Sequence, residues 1–279
     1  MPVSVLGAIL LAALLHAAWN AALKAQPDTF VATLAVSTGS ALLGALALLF
    51  LPAPDAASWP FIAASALLHV VYYRLLAASY RRADIGHAYP LMRGAAPVLV
   101  APAGLAAGDV LRAPQWIALG LVCAGGLALT LGARGQVGAD WRSTGPVLLT
   151  ALVIAAYTLV DGLGVRRAGA PASYTAWVFL SSGVCVVLAS WRRVGSQLPA
   201  WLMRHPGLAV LGGLASTGSY GIVLWAMTQA PVAVVAALRE TSIVFALAIA
   251  VLVLGERASR ARLYGAGLVA LGAAAIKLA

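Results

Sequence analysis

Charged side chains inside long apolar runs are the residues of this sequence best placed to do chemistry. They are Arg74, Arg93, Asp161, Arg239 and Glu240. A charge in hydrocarbon is costly, so such residues normally face a partner or a water-filled cavity. Glu240 follows Arg93 by 147 residues, the spacing of a repeat described below. This spacing predicts an ion pair, which would serve either as a static strut or in a gate or substrate site.

Arg239 needs a different partner from its neighbour Glu240. Adjacent residues point about 100° apart around a helix, so the two side chains cannot share one face. A guanidinium binds a carboxylate through two parallel hydrogen bonds. We therefore expect Arg239 to bind a carboxylate of a substrate.

Aromatic and polar side chains cluster in a few of the apolar runs. With Arg93, Arg239 and Glu240 they predict a substrate-binding cavity, while the alternative is an aromatic belt at the membrane surface. The most central four favour the cavity, and they are Trp19, Tyr72, Tyr157 and Tyr220. The other candidate cavity residues are Asn20, His69, Tyr73, Tyr89 and Trp225.

The fourth apolar run contains Pro90, Pro97 and Pro102. A proline inside a helix removes one backbone hydrogen bond and promotes a kink. We expect Pro90 and Pro97 to bend this helix so that it shapes or gates the cavity. The alternative is bending without function, because membrane helices often contain proline.

Motifs of enzymes and of ATP-driven pumps are absent from the sequence. It contains no HExxH, no GxSxG, no Walker loop and no cluster of carboxylates for a metal. We therefore expect no enzyme activity, no cofactor and no metal site. Without an ATP-binding motif, any transport by this chain must use a proton, an exchanged solute or the gradient of the solute itself.

The elements that position these residues follow from composition. Of the 279 residues, 62% are hydrophobic and 9% are charged, far fewer charges than the roughly 25% of soluble domains. Ten windows reach the roughly 20 apolar residues of a membrane-spanning helix. They are 3–23, 29–51, 58–80, 86–107, 113–132, 144–164, 173–191, 207–228, 232–254 and 260–278. The sequence thus predicts an all-α membrane protein with ten transmembrane helices around a central cavity.

The two halves of the chain repeat. A shift of 147 residues places Gly108-Asp109 on Gly255-Glu256, Gly120 on Gly267 and Gly125 on Gly272. A shift of 138 places HAAWN (16–20) on IAAYT (154–158). The predicted repeats are 1–138 and 139–279, within one integral membrane domain. Five helices in each half make a 5+5 inverted-topology repeat, the architecture of transporters. The glycines also predict close packing of the fifth and tenth helices.

Basic residues between the windows predict the orientation. The odd-numbered connections carry eleven lysines and arginines, and the opposite side carries four. Because cytoplasmic loops are the more basic, both termini are predicted outside. We read the net charge of +10 as this topology signal and expect no nucleic acid partner. The expected location is a bacterial inner membrane, crossed many times.

Two segments resemble a known family. LLHAAWNAALKA (14–25) resembles the opening helix of EamA-type members of the drug/metabolite transporter superfamily, and VLGER (253–257) resembles the end of the ninth helix of the same family. YPLMRGAAP (89–97) is similar to a fourth-helix form found in one group of these proteins. The first repeat departs from the pattern, because it has Gly108-Asp109 in place of Gly-Glu.

The resemblance implies a basket-like helix bundle and export of amino acids or related metabolites by alternating access. The YddG-type exporters of aromatic amino acids are one branch with this plan. Efflux of lipophilic drugs is the neighbouring interpretation, and a membrane enzyme or a scaffold is the distant one. The expected partners are a small-molecule substrate and the lipid bilayer, with a monomer as a plausible assembly.

Overall fold

The computed structural model describes residues 1–82, 85–106, 108–131, 141–253, 255 and 258–278, without the side chains of 77, 80–82, 85–90, 130–131 and 141–143. Helices dominate, and no strand occurs within these ranges. The helices are α1 (Val3–Lys24), α2 (Thr29–Ala47), a 3₁₀ turn (Ala56–Ser58), α3 (Trp59–Arg82), α4 (Ile85–Ala106), α5 (Ala113–Leu131), α6 (Trp141–Arg166), α7 (Pro171–Val194), α8 (Gln197–Arg204), α9 (Pro206–Met227), α10 (Val232–Arg239), α11 (Ser242–Leu252) and α12 (Arg260–Leu278).

Every apolar window of the sequence is helical in the structure. Among the described residues, 8 helical stretches have the length and composition of membrane spans, and the last but one of them runs across α10 and α11. The apolar parts of α4 and α5 are shorter, covering Leu91–Ala106 and Ala113–Leu129. The protein is therefore a multi-pass helical membrane protein, and the count of ten spanning helices remains a prediction.

The ninth window is not one continuous helix, contrary to the expectation from its hydropathy. It breaks at Glu240 and Thr241, between α10 and α11. The Glu240 amide donates to the carbonyl of Ala237 at 3.0 Å and the Thr241 amide to that of Leu238 at 3.1 Å. These i to i+3 bonds tighten the chain into a 3₁₀-like turn, a feature that often marks a hinge.

The fourth window, in contrast to the ninth, forms one continuous helix over its described residues. α4 continues from Ile85 to Ala106 through all three of its prolines. The interruption of a spanning segment thus occurs where the sequence has no proline, and not where it has three. A gating role of Pro97, which is buried, remains a prediction; the side chain of Pro90 lies outside the described residues.

The helices pack in a regular set of pairs. α5 lies against α12 and α2 against α7. α3 packs on α6 and α7, α9 packs on α1 and α2, and α6 and α5 both contact α4. α1 and α12 both contact α11. α10 lies in the middle of the bundle, where all eight of its residues are buried.

Glycine permits the closest of these contacts at some of the predicted positions. A methyl group on Gly125 would lie 2.7 Å from the carbonyl oxygen of Gly265, and one on Gly272 would lie 2.8 Å from that of Ala118. The backbones of α5 and α12 therefore touch, as expected from small residues. Gly120 and Gly267 take no part, because their added methyl groups would meet nothing within 4 Å.

Candidate functional site

A cavity of about 130 Å³ opens between the helices in the centre of the bundle. Nine of the candidate residues predicted from the sequence line it. They are Trp19 and Asn20 of α1, His69, Tyr72 and Tyr73 of α3, Arg93 of α4, Tyr157 of α6, Tyr220 of α9 and Arg239 of α10. The structure thus brings together side chains that lie up to 220 residues apart in the sequence.

Two of the other candidates lie outside the cavity. Glu240 is buried behind Arg93 and does not line the cavity. Trp225 is 39% exposed and also outside it. The reason is helix geometry, because five residues separate Trp225 from Tyr220 and turn it about 140° away. The side chain of Tyr89 lies outside the described residues.

The predicted ion pair is present. Nε of Arg93 lies 3.1 Å from Oε2 of Glu240, and an amino group of Arg93 donates to the hydroxyl of Ser242 at 3.3 Å. The side chains of Arg93 and Glu240 are only 7% and 3% exposed. Each charge is therefore compensated inside the bundle. The pair connects α4 to the turn between α10 and α11.

Arg239 has a different environment. It is 5% exposed and lines the cavity, and its Nε has no hydrogen-bond partner among the described residues. The guanidinium lies 5.9 Å from the ring centre of Tyr220. The buried Nε1 of Trp19 also lacks an acceptor among these residues. Two N–H groups of cavity-lining residues are therefore available to an acceptor that enters.

Aromatic rings form a connected wall along the cavity. The ring centres of His69 and Tyr157 are 4.7 Å apart, and Tyr72 meets Tyr157 edge-on at 5.9 Å. Tyr220 continues the wall, 6.4 Å from Tyr157 and 6.1 Å from Phe179. The contacts of Tyr72 with Tyr157, Tyr157 with Tyr220 and Tyr220 with Phe179 are edge-to-face, whereas the rings of His69 and Tyr157 are tilted by 30°. The wall is thus inside the bundle and not a belt around it.

Small polar residues on α2 and α7 also line the cavity, and the sequence interpretation missed them. They are Thr33, Ser37 and Ser40 on α2 and Ser182 and Gly183 on α7. Thr33, Ser37 and Ser40 follow one another by four and three residues, which places them on one face of α2, whereas Ser182 and Gly183 are adjacent on α7. The spacing on α2 is a signal in the sequence, but a prediction based on aromatic and charged side chains does not include it.

Asp161 of α6 lies directly behind the wall and is fully buried. Tyr174 donates its hydroxyl to one carboxylate oxygen at 3.0 Å, and Tyr220 donates to the other at 2.7 Å. The second bond links Asp161 to a ring that lines the cavity. Asp161 therefore fixes the position of Tyr220.

A second ion pair closes one end of the bundle. Arg166, at the end of α6, donates to Asp109 at 2.8 Å and to the carbonyls of Met227 and Ala230 at 2.7 and 3.0 Å. Asp109 also accepts the amide hydrogen of Val232 at 2.7 Å, which caps the first turn of α10. We call these residues the end clamp. Its turn depends on Gly108, whose φ of 95° favours glycine.

A second cavity adjoins the central one away from the end clamp. The two share Tyr73 and Val186. Phe30, at the start of α2, and Arg193, near the end of α7, line the second cavity, and the guanidinium of Arg193 lies 4.3 Å from the Phe30 ring centre. The central cavity thus continues toward the connections that precede α2 and follow α7.

Comparisons with known proteins agree with this architecture. Residues 146–278 match the EamA-like transporter family. A solved structure described as "Crystal structure of protein" superimposes with a TM-score of 0.76 at 19% sequence identity, over 100% of this chain and 98% of that chain. A search of the curated proteins gave no match. The structural likeness establishes the fold, and the family match confirms the resemblance over the second half of the chain.

Proposed function

We infer that this protein is a secondary transporter of small metabolites, because residues 146–278 belong to the EamA-like transporter family. We propose that it exports amino acids, aromatic ones among them, by alternating access through the central cavity. The observation that carries this proposal is the pairing of an arginine whose Nε lacks a partner, Arg239, with an aromatic wall in one buried cavity.

The packing of the helices supports an inverted repeat. If α1–α5 correspond in order to α6, α7, α9, α10–α11 and α12, each major contact has a counterpart after exchange of the halves. The contact of α3 with α6 corresponds to that of α9 with α1, and the contact of α2 with α9 to that of α7 with α3. Gly108 and Gly255, 147 residues apart, both have positive φ, 95° and 67°. Such repeats place the substrate site between the halves.

The cavity also fits the parts of an amino acid. Arg239 supplies a cation with an unused N–H for the carboxylate, which a guanidinium binds in a two-pronged geometry. The rings of Tyr157 and Tyr220 offer faces and edges to an apolar side chain. Ser219 donates its hydrogen to the carbonyl of Ala12, so its oxygen can accept from an ammonium group.

The location of the openings supports an orientation. The second cavity extends toward the connections with more basic residues, which the sequence predicts to be cytoplasmic, and the end clamp closes the opposite end. In the proposed cycle this structure is the state that takes up substrate from the cytoplasm. Export then requires the end clamp to open.

Counterflow of radiolabelled L-phenylalanine into liposomes that contain the purified protein tests the proposal. We expect exchange against internal L-phenylalanine, competition by other amino acids, and loss of exchange in Arg239→Gln. Arg167→Gln is the matched control, because Arg167 lies outside the cavity against the ring of Phe61 and should transport normally. Absence of exchange for every amino acid would refute the proposal.

The alternative is efflux of lipophilic drugs. The two arginines of the central cavity disfavour this, because drug-sized ligands occupy mostly apolar pockets. The same liposomes separate the two functions. Ethidium transport that amino acids do not inhibit would favour the drug-efflux alternative.

A further inference from the structure

Asp161 is a buried carboxylate without a basic partner. It is fully buried, and within the described part of the chain no lysine or arginine forms a salt bridge with it. Its two oxygens accept hydrogen bonds from the neutral hydroxyls of Tyr174 and Tyr220. Ionisable residues inside a membrane commonly belong to proton or ion pathways when they are not paired. Glu240, by contrast, is held by Arg93.

A route connects Asp161 to the central cavity. His69 lines that cavity, and its Nδ1 lies 2.8 Å from the carbonyl of Ser65 and 3.3 Å from the Ser65 hydroxyl. The hydroxyl of Tyr220, which also lines the cavity, donates to Asp161 at 2.7 Å, and the Ser65 hydroxyl and the His69 ring act on the same carboxylate. An imidazole and a hydroxyl, each able to donate and accept, therefore join the carboxylate to the cavity.

We propose that Asp161 is the proton-binding site that couples transport to a proton gradient, with Ser65 and His69 as the proton route from the cavity. The inference rests on the proposed transport function and extends it to the driving force. A proton enters at His69, passes to Ser65 and binds a carboxylate oxygen of Asp161. It leaves by the same route.

Proton and substrate cannot use the cavity at the same time. A solute that packs against the rings of His69 and Tyr157, which are 4.7 Å apart, covers the entrance of the proton route. Binding of one therefore excludes exchange of the other, which is the condition for antiport. Proton entry from outside then drives export of the substrate.

Other charged and titratable groups lie around this site. Each helix packed against α6 contributes, and the groups are His69 from α3, Arg93 from α4, Tyr174 from α7, Tyr220 from α9 and Arg239 with Glu240 from the region of α10. Tyr157 lies on α6 itself. Because Arg93 and Glu240 compensate each other, Asp161 is the carboxylate of this group whose charge no lysine or arginine balances in the described part of the chain.

Liposomes that contain the full-length protein, internal pyranine and radiolabelled L-phenylalanine test the proposal. Two quantities are measured, namely counterflow at equal pH and accumulation driven by a pH gradient. The wild type is expected to show both, with proton movement opposite to that of L-phenylalanine. Asp161→Asn is expected to lose gradient-driven accumulation and proton movement by a larger factor than counterflow, because exchange needs no net proton transfer.

Two further variants exclude a merely structural effect. Ser65→Ala removes one hydroxyl of the route outside the cavity lining and is expected to slow proton movement while counterflow is unchanged. Asp55→Asn changes an exposed carboxylate and is expected to leave both quantities unchanged. Wild-type counterflow without proton movement would overturn the proton site and leave the transport function standing, as would gradient-driven accumulation by Asp161→Asn.

Infrared difference spectra of the purified protein test the proton site without a substrate and without reconstitution into liposomes. Purified wild type is compared in mildly acidic and mildly alkaline buffer. We expect a carbonyl band of a protonated carboxylic acid in acid that Asp55→Asn retains and Asp161→Asn lacks. If wild type shows no such band, Asp161 does not exchange a proton and the proposal fails. If L-phenylalanine shows no counterflow but the band appears, the substrate is wrong and the proton site stands.

Discussion

The two ion pairs of the bundle differ in burial and in construction. The side chains of Arg93 and Glu240 are 7% and 3% exposed and compensate each other in the centre. The end clamp has one largely buried partner, Asp109 at 6%, and one that reaches the surface, Arg166 at 29%. The central pair consists of two side chains and one serine hydroxyl, whereas the end clamp also uses one backbone amide and two backbone carbonyls.

This difference teaches which contact can open. Separating a buried pair leaves two uncompensated charges, so the central pair favours a permanent connection between α4 and the turn after α10. The end clamp can exchange its partners for water, because Arg166 already reaches the surface. We expect the end clamp, and not the central pair, to break during transport.

The largest loss of stability is expected when one partner of the central pair of Arg93 and Glu240 loses its charge. Glu240→Gln should lower the free energy of unfolding by about 3–5 kcal/mol, because it leaves Arg93 buried without a counter-charge. Thermal unfolding in detergent measures this loss. The double variant Arg93→Gln with Glu240→Gln should be more stable than the single one. Additive losses in unfolding and transport would show that the two charges act separately.

A smaller loss of stability is expected from a change in the packing of α4 against α5, because this packing positions the central pair. Gly94 follows Arg93, and a methyl group on Gly126 would lie 2.8 Å from the Cα of Gly94. Gly126→Ala should therefore displace α4 from α5 and destabilise the protein by about 1–3 kcal/mol. Gly120→Ala, on the same helix, is the control and should not destabilise, because its added methyl group meets nothing. Equal unfolding temperatures for both variants would contradict this account.

The smallest loss of stability is expected at the end clamp. Asp109→Ala removes the ion pair and the cap of α10 and should cost about 0.5–2 kcal/mol. Asp109→Asn keeps an oxygen that can accept from Val232 and should cost less. Both variants should make the outer end of the cavity more accessible to a thiol reagent at a cysteine introduced at Ser219. Unchanged labelling would show that the end clamp does not control access.

The parts that the sequence predicted are those with a periodic or repeated signal. Hydropathy predicted the 8 helical stretches that have the length and composition of membrane spans, because lipid requires long apolar segments. The repeat spacing predicted the pair of Arg93 and Glu240. The end clamp escaped prediction, since no repeat relates Asp109 to Arg166, and Arg166 was counted only as a topology signal.

The features that the sequence did not predict depend on local backbone geometry and on which face of a helix a residue occupies. The turn at Glu240 and Thr241 contains neither glycine nor proline, so residue preferences gave no warning of it. α8 is a short helix in the connection between the seventh and eighth apolar windows, and hydropathy does not assign this connection to a helix. Trp225 was placed in the cavity by its residue type, although its position on α9 turns it away from Tyr220.

The turn between α10 and α11 has a consequence for the balance of the transport cycle. If the two halves of the chain were identical, they would only exchange roles between the two states of the transport cycle. The two states would then have equal free energy. In the proposed repeat the unbroken α4 corresponds to a broken segment, so exchange of the halves does not reproduce the same molecule. On the proposed mechanism the resting populations of the two states are unequal, by a factor of ten for every ~1.4 kcal/mol of free-energy difference. The proposed transporter therefore has a preferred side on which to wait for its substrate.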